Sequence, residues 1–143
     1  MSKPNLESLL STIPVELRQG LELPPKIYVE MEGELLGYKE GKLLTIRYPF
    51  KEYYQNPFGY MQGGIISAAI DNTVAPLSYL ACATNITKSI TTKFIRPVLN
   101  TYSHIIVEAR LNKSDGNNIT LNAVVRSPEQ DLLATGVVEC IEV

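Results

Sequence analysis

The period of apolar and polar positions changes twice along this chain, and the changes divide it into elements. Over residues 26–49 apolar and polar residues alternate on either side of Lys39-Glu40-Gly41-Lys42. That is the period of a half-buried strand broken by a glycine turn, and it predicts a β-hairpin. From Gly63 the period lengthens, with Ile66, Ile70, Val74, Leu77 and Ala81 at spacings of three and four, one apolar stripe of a long helix. Ser67, Asp71, Ala75 and Ser78 form a second stripe, small and polar, which suits close approach of a neighbouring subunit or a substrate crevice. Pro76 is expected to bend this helix just after Asp71, since proline removes a backbone donor and crowds the preceding turn. Beyond Thr84 four strand-like runs follow, over 86–96, 102–113, 119–127 and 132–141. The residues between them, Asn100-Thr101, Ser114-Asp115-Gly116-Asn117 and Pro128-Glu129-Gln130-Asp131, are those that tight turns favour.

Ahead of the hairpin, residues 5–12 and a segment opened by Pro14 read as two short helices, predicted to form an amphipathic cap over residues 1–25. Two strands, a helix and then a four-strand antiparallel meander make an α+β layout. Its expected form is a curved antiparallel sheet of about six strands wrapped around one long central helix. The length of 143 residues, 45% of them hydrophobic, suits a single domain over 1–143.

Charge narrows the partners. A formal charge of -2 and a pI near 5.4, with Lys and Arg scattered, predict no nucleic-acid partner. Residues 63–83 are apolar enough to raise a membrane span. Asp71, Asn72 and Pro76 fall near their middle, however, where such groups are costly in lipid, so a buried helix is expected. Glu7 and Glu16 interrupt the apolar residues of the N-terminus and leave no secretory signal, so a cytoplasmic location is expected. On that reading the sequons Asn85-Ile86-Thr87 and Asn118-Ile119-Thr120 carry no meaning. Cys82 and Cys140 have no C-x-x-C spacing and suggest neither a metal site nor a disulfide framework. His104, the single histidine, alternates in phase with Glu108 and Arg110 and reads as part of a solvated strand face.

Candidate chemistry gathers in residues 56–71, NPFGYMQGGIISAAID. Glycines let a backbone approach a ligand closely, and the first amides of the helix they open have no partner within it. Sitting at the positive end of the helix dipole, those amides would stabilise a carbonyl oxygen that gains negative charge. Asp71 would be the matching base or nucleophile; taken singly it also reads as an ordinary surface acid. It lies eight residues beyond Gly63, about 12 Å along a helix axis. One chain's amides and its own Asp71 are therefore too far apart to act on one carbonyl. If both act on the same atom, the acid comes from a second subunit. Taken singly, Gly63-Gly64 also reads as a plain loop-to-helix junction and Asn56 as a turn residue before Pro57.

The pattern N-x-x-G-x-x-x-G-G, followed seven residues after the second glycine by an acid, is similar to that of the hotdog-fold acyl-CoA thioesterases, the phenylacetate-pathway (PaaI-like) group in particular. Thr91-Thr92-Lys93-Phe94-Ile95-Arg96-Pro97 resembles that family's first strand after the helix, and the likeness covers roughly residues 40–143. The resemblance implies that the Gly63 amide serves the oxyanion, Asn56 positions thioester or water, and Asp71 attacks or activates water. It also implies Gly64, Gln62, Phe58, Thr91 and Thr92 as substrate contacts. The chain departs from the family at Gln62, where a histidine is usual. An amide accepts and donates hydrogen bonds but does not shuttle a proton near neutral pH.

The function implied is hydrolysis of an acyl-CoA thioester to a carboxylate and free coenzyme A by a homodimer or homotetramer. Coenzyme A enters as part of the substrate, with no cofactor and no metal. The alternative is a non-catalytic acyl or acyl-CoA binding protein, with Gln62 marking lost activity. A hotdog dehydratase ranks last, since it normally needs a histidine in the active-site loop. Tyr53, Tyr54, Phe58 and Tyr60 either line an acyl pocket or anchor the loop. Lys88, Lys93, Arg96, Arg110, Lys113 and Arg126 include candidate partners for the coenzyme A phosphates.

Overall fold

A computed structural model describes residues 4–143. Three short helices come first: α1, Leu6–Leu10; α2, Val15–Arg18; and α3, Lys26–Glu30. Asn5 caps α1, its Oδ1 accepting from the Ser8 amide at 2.8 Å while the Ser8 hydroxyl faces the Asn5 amide, a reciprocal box that satisfies two orphan donors. The third helix corrects the expectation that strand begins at Lys26. Pro25 precedes its first turn, and Tyr28 and Met31 are buried, a spacing of three that a helix can turn inward together. The helical cap thus runs past residue 25 to Glu30, and the hairpin starts at Glu34.

Strands β1, Glu34–Lys39, and β2, Leu43–Pro49, pair antiparallel around Gly41, which adopts φ of +70°. The Lys42 amide donates to the Lys39 carbonyl at 2.9 Å to close the turn. A 3₁₀ turn at Glu52–Tyr54 leads into a loop and then α4, Gly63–Ala81. The remaining strands are β3, Asn85–Phe94; β4, His104–Asp115; β5, Asn118–Arg126; and β6, Leu132–Glu142.

The six strands form one sheet in the order β1-β2-β4-β5-β6-β3, with every neighbour antiparallel. Only β4, β5 and β6 make a meander, so the expected four-strand meander is corrected. After α4 crosses the sheet, β3 pairs with β6 at the far edge and the chain returns through residues 95–103 to place β4 beside β2. Hairpin chemistry predicts adjacency only where the connection is short; nine residues allow a crossing.

Along α4 the residues Ile66, Ile70, Val74 and Leu77 are buried, and the helix packs across β2, β3, β4, β5 and β6. The stripe lies where the period of 3.6 predicts except at Ala81, the last residue of the helix, which is only half-buried. Gly136 on β6 makes room for it: a Cβ there would stand 3.0 Å from Ile70 Cδ1. The Tyr48 hydroxyl, fully buried, meets Thr73 Oγ1 at 2.9 Å, and Thr73 Oγ1 also bonds the Ala69 carbonyl at 2.7 Å. This pair ties helix to sheet without leaving a buried hydroxyl unpaired. Pro76 stays inside α4 without ending it. Ser78, expected on the open polar stripe, is instead buried, donating to the Ala75 carbonyl at 2.6 Å and meeting the Asn85 side chain. Among the described residues no helix is long and apolar enough to cross a membrane.

Candidate active site

The loop before α4 is held by its own backbone and by Asn56. Oδ1 of Asn56 accepts from the Phe58 amide at 2.9 Å and the Tyr60 amide at 3.1 Å, while the Asn56 amide donates to the Tyr60 carbonyl at 2.7 Å. Asn56 is thus both the turn residue its neighbour Pro57 suggested and a wall of the site. Its Nδ2 makes no hydrogen bond among the described residues. Gly59 turns with φ of +83° and donates to the Asn56 carbonyl at 2.9 Å. The Met61 amide then donates to the Val98 carbonyl at 3.0 Å, and the Gln62 amide to the Tyr54 carbonyl at 2.8 Å. These bonds fix where α4 begins.

Gln62 is the N-cap, in extended conformation, and its side chain makes no cap bond. Its carbonyl accepts from the Ile65 and Ile66 amides at 3.0 and 3.3 Å. The Gly63 and Gly64 amides, one position closer to the start, have no acceptor among the described residues. Gly63 opens on a cavity of about 280 Å³ lined also by Asn56, Tyr60, Ile66, Phe94 and Arg96. Its far wall, residues 94–98, is the end of β3 and the segment after it, held by the Ile95 and Arg96 amides, which both donate to the Leu133 carbonyl. The Phe94 ring lies over Gly63 so closely that a Cβ there would be 2.9 Å from Cζ. Glycine at 63 thus leaves room for the Phe94 ring.

Asp71 lies two turns on, half-buried, with Oδ1 accepting from Thr87 Oγ1 at 2.9 Å. It is not part of the cavity wall. Its distance along the helix, about 12 Å, keeps it from reaching the Gly63 amide in one chain. The two share a face, however. Phe94 stands over Gly63, Thr92 Oγ1 meets Ser67 Oγ at 2.9 Å, and Thr87 meets Asp71, so β3 runs along the whole face from Gly63 to Asp71. That strand is the sheet's edge, and Ile86 and Phe94 on it are more than half exposed.

Of the residues expected to touch substrate, the structure gathers Asn56 and Gly63 at one cavity. Gln62 and Gly64 adjoin it without lining it. Phe58 is 81% exposed and stacks on Tyr60 at 6.3 Å between ring centroids, so of the loop aromatics only Tyr60 reaches the cavity wall. Thr91 is exposed on β3 and Thr92 is occupied by Ser67. Tyr54 is buried with its hydroxyl unpaired, and burial pushes that hydroxyl's pKa up. It anchors the loop. Of the six scattered cations, Arg96 alone lines the cavity, its guanidinium 3.7 Å from Asp131. Phe94, Ile66 and Val98 were missed as site residues because their placement depends on β3 crossing to the far edge. The Arg96-Pro97 break at the strand's end was the one local signal. His104 is half-buried and bonds Ser103 Oγ through Nδ1 at 2.7 Å, away from the cavity.

Three solved structures carry the same architecture. The PaaI protein of the Escherichia coli phenylacetic acid degradation operon superposes with a TM-score of 0.79 at 11% identity, over 90% of this chain and 91% of that one. This chain has the hotdog fold. A thioesterase from Haemophilus influenzae matches the hotdog chain with a TM-score of 0.77 at 17% identity, over 98% of this chain and 91% of its own. A Streptococcus mutans protein bound to acetyl CoA matches it at 0.73 and 10% identity, over 86% and 93%. No family model and no curated protein matches the sequence.

Proposed function

We propose that this hotdog protein hydrolyses acyl-CoA thioesters in a homodimer whose active sites each draw on both chains. The observation that carries the reading is the unbonded Gly63 amide, opening on a cavity, with the Gly64 amide beside it and Asp71 on the same face of α4 under the same edge strand. An exposed edge strand presents a row of unpaired backbone groups ready to join a second copy. Antiparallel pairing of two β3 strands around a two-fold axis near Thr91-Thr92 would suit Ser67, which sits midway between Gly63 and Asp71 and touches Thr92. Such an axis brings the partner's Asp71 towards Gly63. The likeness to PaaI and to a named thioesterase supports the same reading.

In the reaction the thioester carbonyl oxygen rests on the Gly63 amide, where a developing negative charge gains from fixed donors and the helix dipole. The carboxylate of the partner's Asp71 either takes a proton from water as water adds to the carbonyl carbon, or adds itself and is released by water afterwards. In both routes the C–S bond breaks, the thiolate leaves as coenzyme A and takes up a proton, and the acyl group departs as a carboxylate. Arg96 at the cavity rim is the cation placed to meet a phosphate of the leaving group.

Free thiol release from phenylacetyl, benzoyl and aliphatic acyl-CoA esters, with wild type beside Asp71→Asn, tests this. Turnover that falls by about 10²–10⁴-fold in the variant is expected. The second reading, a non-catalytic acyl binder, draws on Gln62, whose amide cannot replace an imidazole proton. Binding of esters with no turnover by the wild type would establish it instead.

A further inference from the structure

The loop that ends at the Gly63 amide is tied at its other end to α3. Lys51 is the N-cap of the 3₁₀ turn at Glu52–Tyr54, and its side chain is only 15% exposed. The ammonium group donates to the Glu30 carbonyl, pairs with the Glu32 carboxylate at 2.8 Å and lies 5.8 Å from the centroid of the Tyr53 ring. Glu30 is the last residue of α3, where carbonyls have no partner inside the helix and a cation is favoured. Tyr53 adds a second tie, its hydroxyl donating to Glu30 Oε1 at 3.3 Å.

The backbone at Glu32 marks this tie as more than packing. Glu32 adopts φ of +55°, the left-handed conformation that glycine usually supplies after a helix, because a Cβ is crowded there. An acid held in that conformation puts its carboxylate on Lys51, and an ion pair so open to water on the carboxylate side adds little stability by itself. A backbone outlier held by its surroundings points to a role in a site.

What the tie controls is the start of α4. The Tyr54 amide donates to the Lys51 carbonyl at 2.9 Å, and the buried Tyr54 ring packs edge-on against Tyr53 at 5.1 Å between centroids. The Tyr54 carbonyl in turn accepts from the Gln62 amide at 2.8 Å. Gln62 is the N-cap of α4, and the Gly63 amide is the next donor along the chain.

We infer that Lys51 is a positioning residue. By clamping the 52–54 turn to the end of α3 it fixes Tyr54 and hence Gln62, and so aims the Gly63 amide into its cavity. The inference rests on the thioesterase reading of Gly63. A donor that serves the oxyanion only in the transition state changes kcat and kcat/KM alike, and a small displacement of it is costly.

The test measures thiol release, stability in urea and hydrogen exchange of the Gln62 amide in Lys51→Met, Lys51→Arg and Glu32→Gly. Lys51→Met keeps the length of the side chain and removes its charge. It is expected to lower kcat at least about tenfold at unchanged KM, the scale of one hydrogen bond to a charged group, and Lys51→Arg to recover most of that loss. Glu32→Gly relieves the left-handed backbone, so stability should hold or rise. Its kcat should nevertheless fall about two- to fivefold, the range of an exposed ion pair. In Lys51→Met and Glu32→Gly alike the Gln62 amide should exchange faster relative to the amides of β5. Stability lost with kcat and Gln62 exchange unmoved makes Lys51 structural and overturns the inference, as does wild-type kcat in both variants. Absence of all turnover by the wild type overturns the thioesterase reading instead. Gln62 exchange then decides the clamp alone: faster exchange in both variants upholds it, and unchanged exchange overturns it.

Discussion

Two chains, each disabled at a different group, should restore one working site between them if the acid crosses from the partner. Gly63→Pro deletes the oxyanion donor with little else. The Gly63 amide has no backbone acceptor to lose, proline is favoured at the first helical position, and Gln62 already holds φ of -60° and ψ of 139°, the extended conformation required before proline. The new ring meets Phe94, whose Cζ would lie 2.9 Å from the added Cβ. Phe94 is 55% exposed and can swing outward. Stability is expected to change by less than about 1 kcal/mol, whereas losing an oxyanion donor costs about 10²–10³ in kcat. Asp71→Asn disables the other half and keeps the acceptor for Thr87. Co-expressed with different affinity tags and purified through both, the heterodimer contains one site with Gly63 and Asp71 intact and one with neither, so about half the wild-type rate per dimer should return. Each parent homodimer remains inactive. Heterodimer activity no higher than that of the parents would refute the shared site, since a site built within one chain is broken in both.

Other consequences follow from packing and charge. Gly136→Ala presses a methyl group to 3.0 Å from Ile70 Cδ1 and 3.3 Å from its Cγ2 in the core; it should cost about 1–3 kcal/mol, lowering the urea midpoint with the m-value unchanged. Tyr28 is pushed up to about 12 from 10.0, chiefly by burial and then by Glu34. Its folded pKa lies above the unfolded one, so its contribution is complete below pH 10 and lost as pH rises towards 12. Tyr28→Phe should flatten that part of the stability profile in chemical denaturation. Thr87→Val removes the donor that orients Asp71. On an exposed strand it should leave stability within about 0.5 kcal/mol and lower kcat by up to about tenfold at unchanged KM, the worth of one hydrogen bond.

Much of this was legible locally. The apolar stripe of α4, the turn at Gly41 and the last three strands follow from periodicity and turn chemistry, because side-chain burial alternates with the backbone's own geometry. The unpaired amides at Gly63 and Gly64 follow too, since every helix start leaves its first donors without partners. Likewise, the separation of Gly63 from Asp71 needed only the rise per residue.

Other features depended on what packs against what. Strand was expected from Lys26, but Tyr28 and Met31 turn inward together on a helix that the cap and sheet bury. The meander failed because the order of strands in a sheet is decided by where a long connection crosses, and β3 went to the far edge. That crossing laid Phe94 on Gly63, put Arg96 on the cavity rim and left the whole face from Gly63 to Asp71 beneath an open strand. The sequence alone determined the elements and the chemical groups, which depend on residues a few positions apart. Only the tertiary structure decided which of those groups share a cavity, because that turns on contacts between residues distant along the chain, whose net free energy belongs to the packed whole.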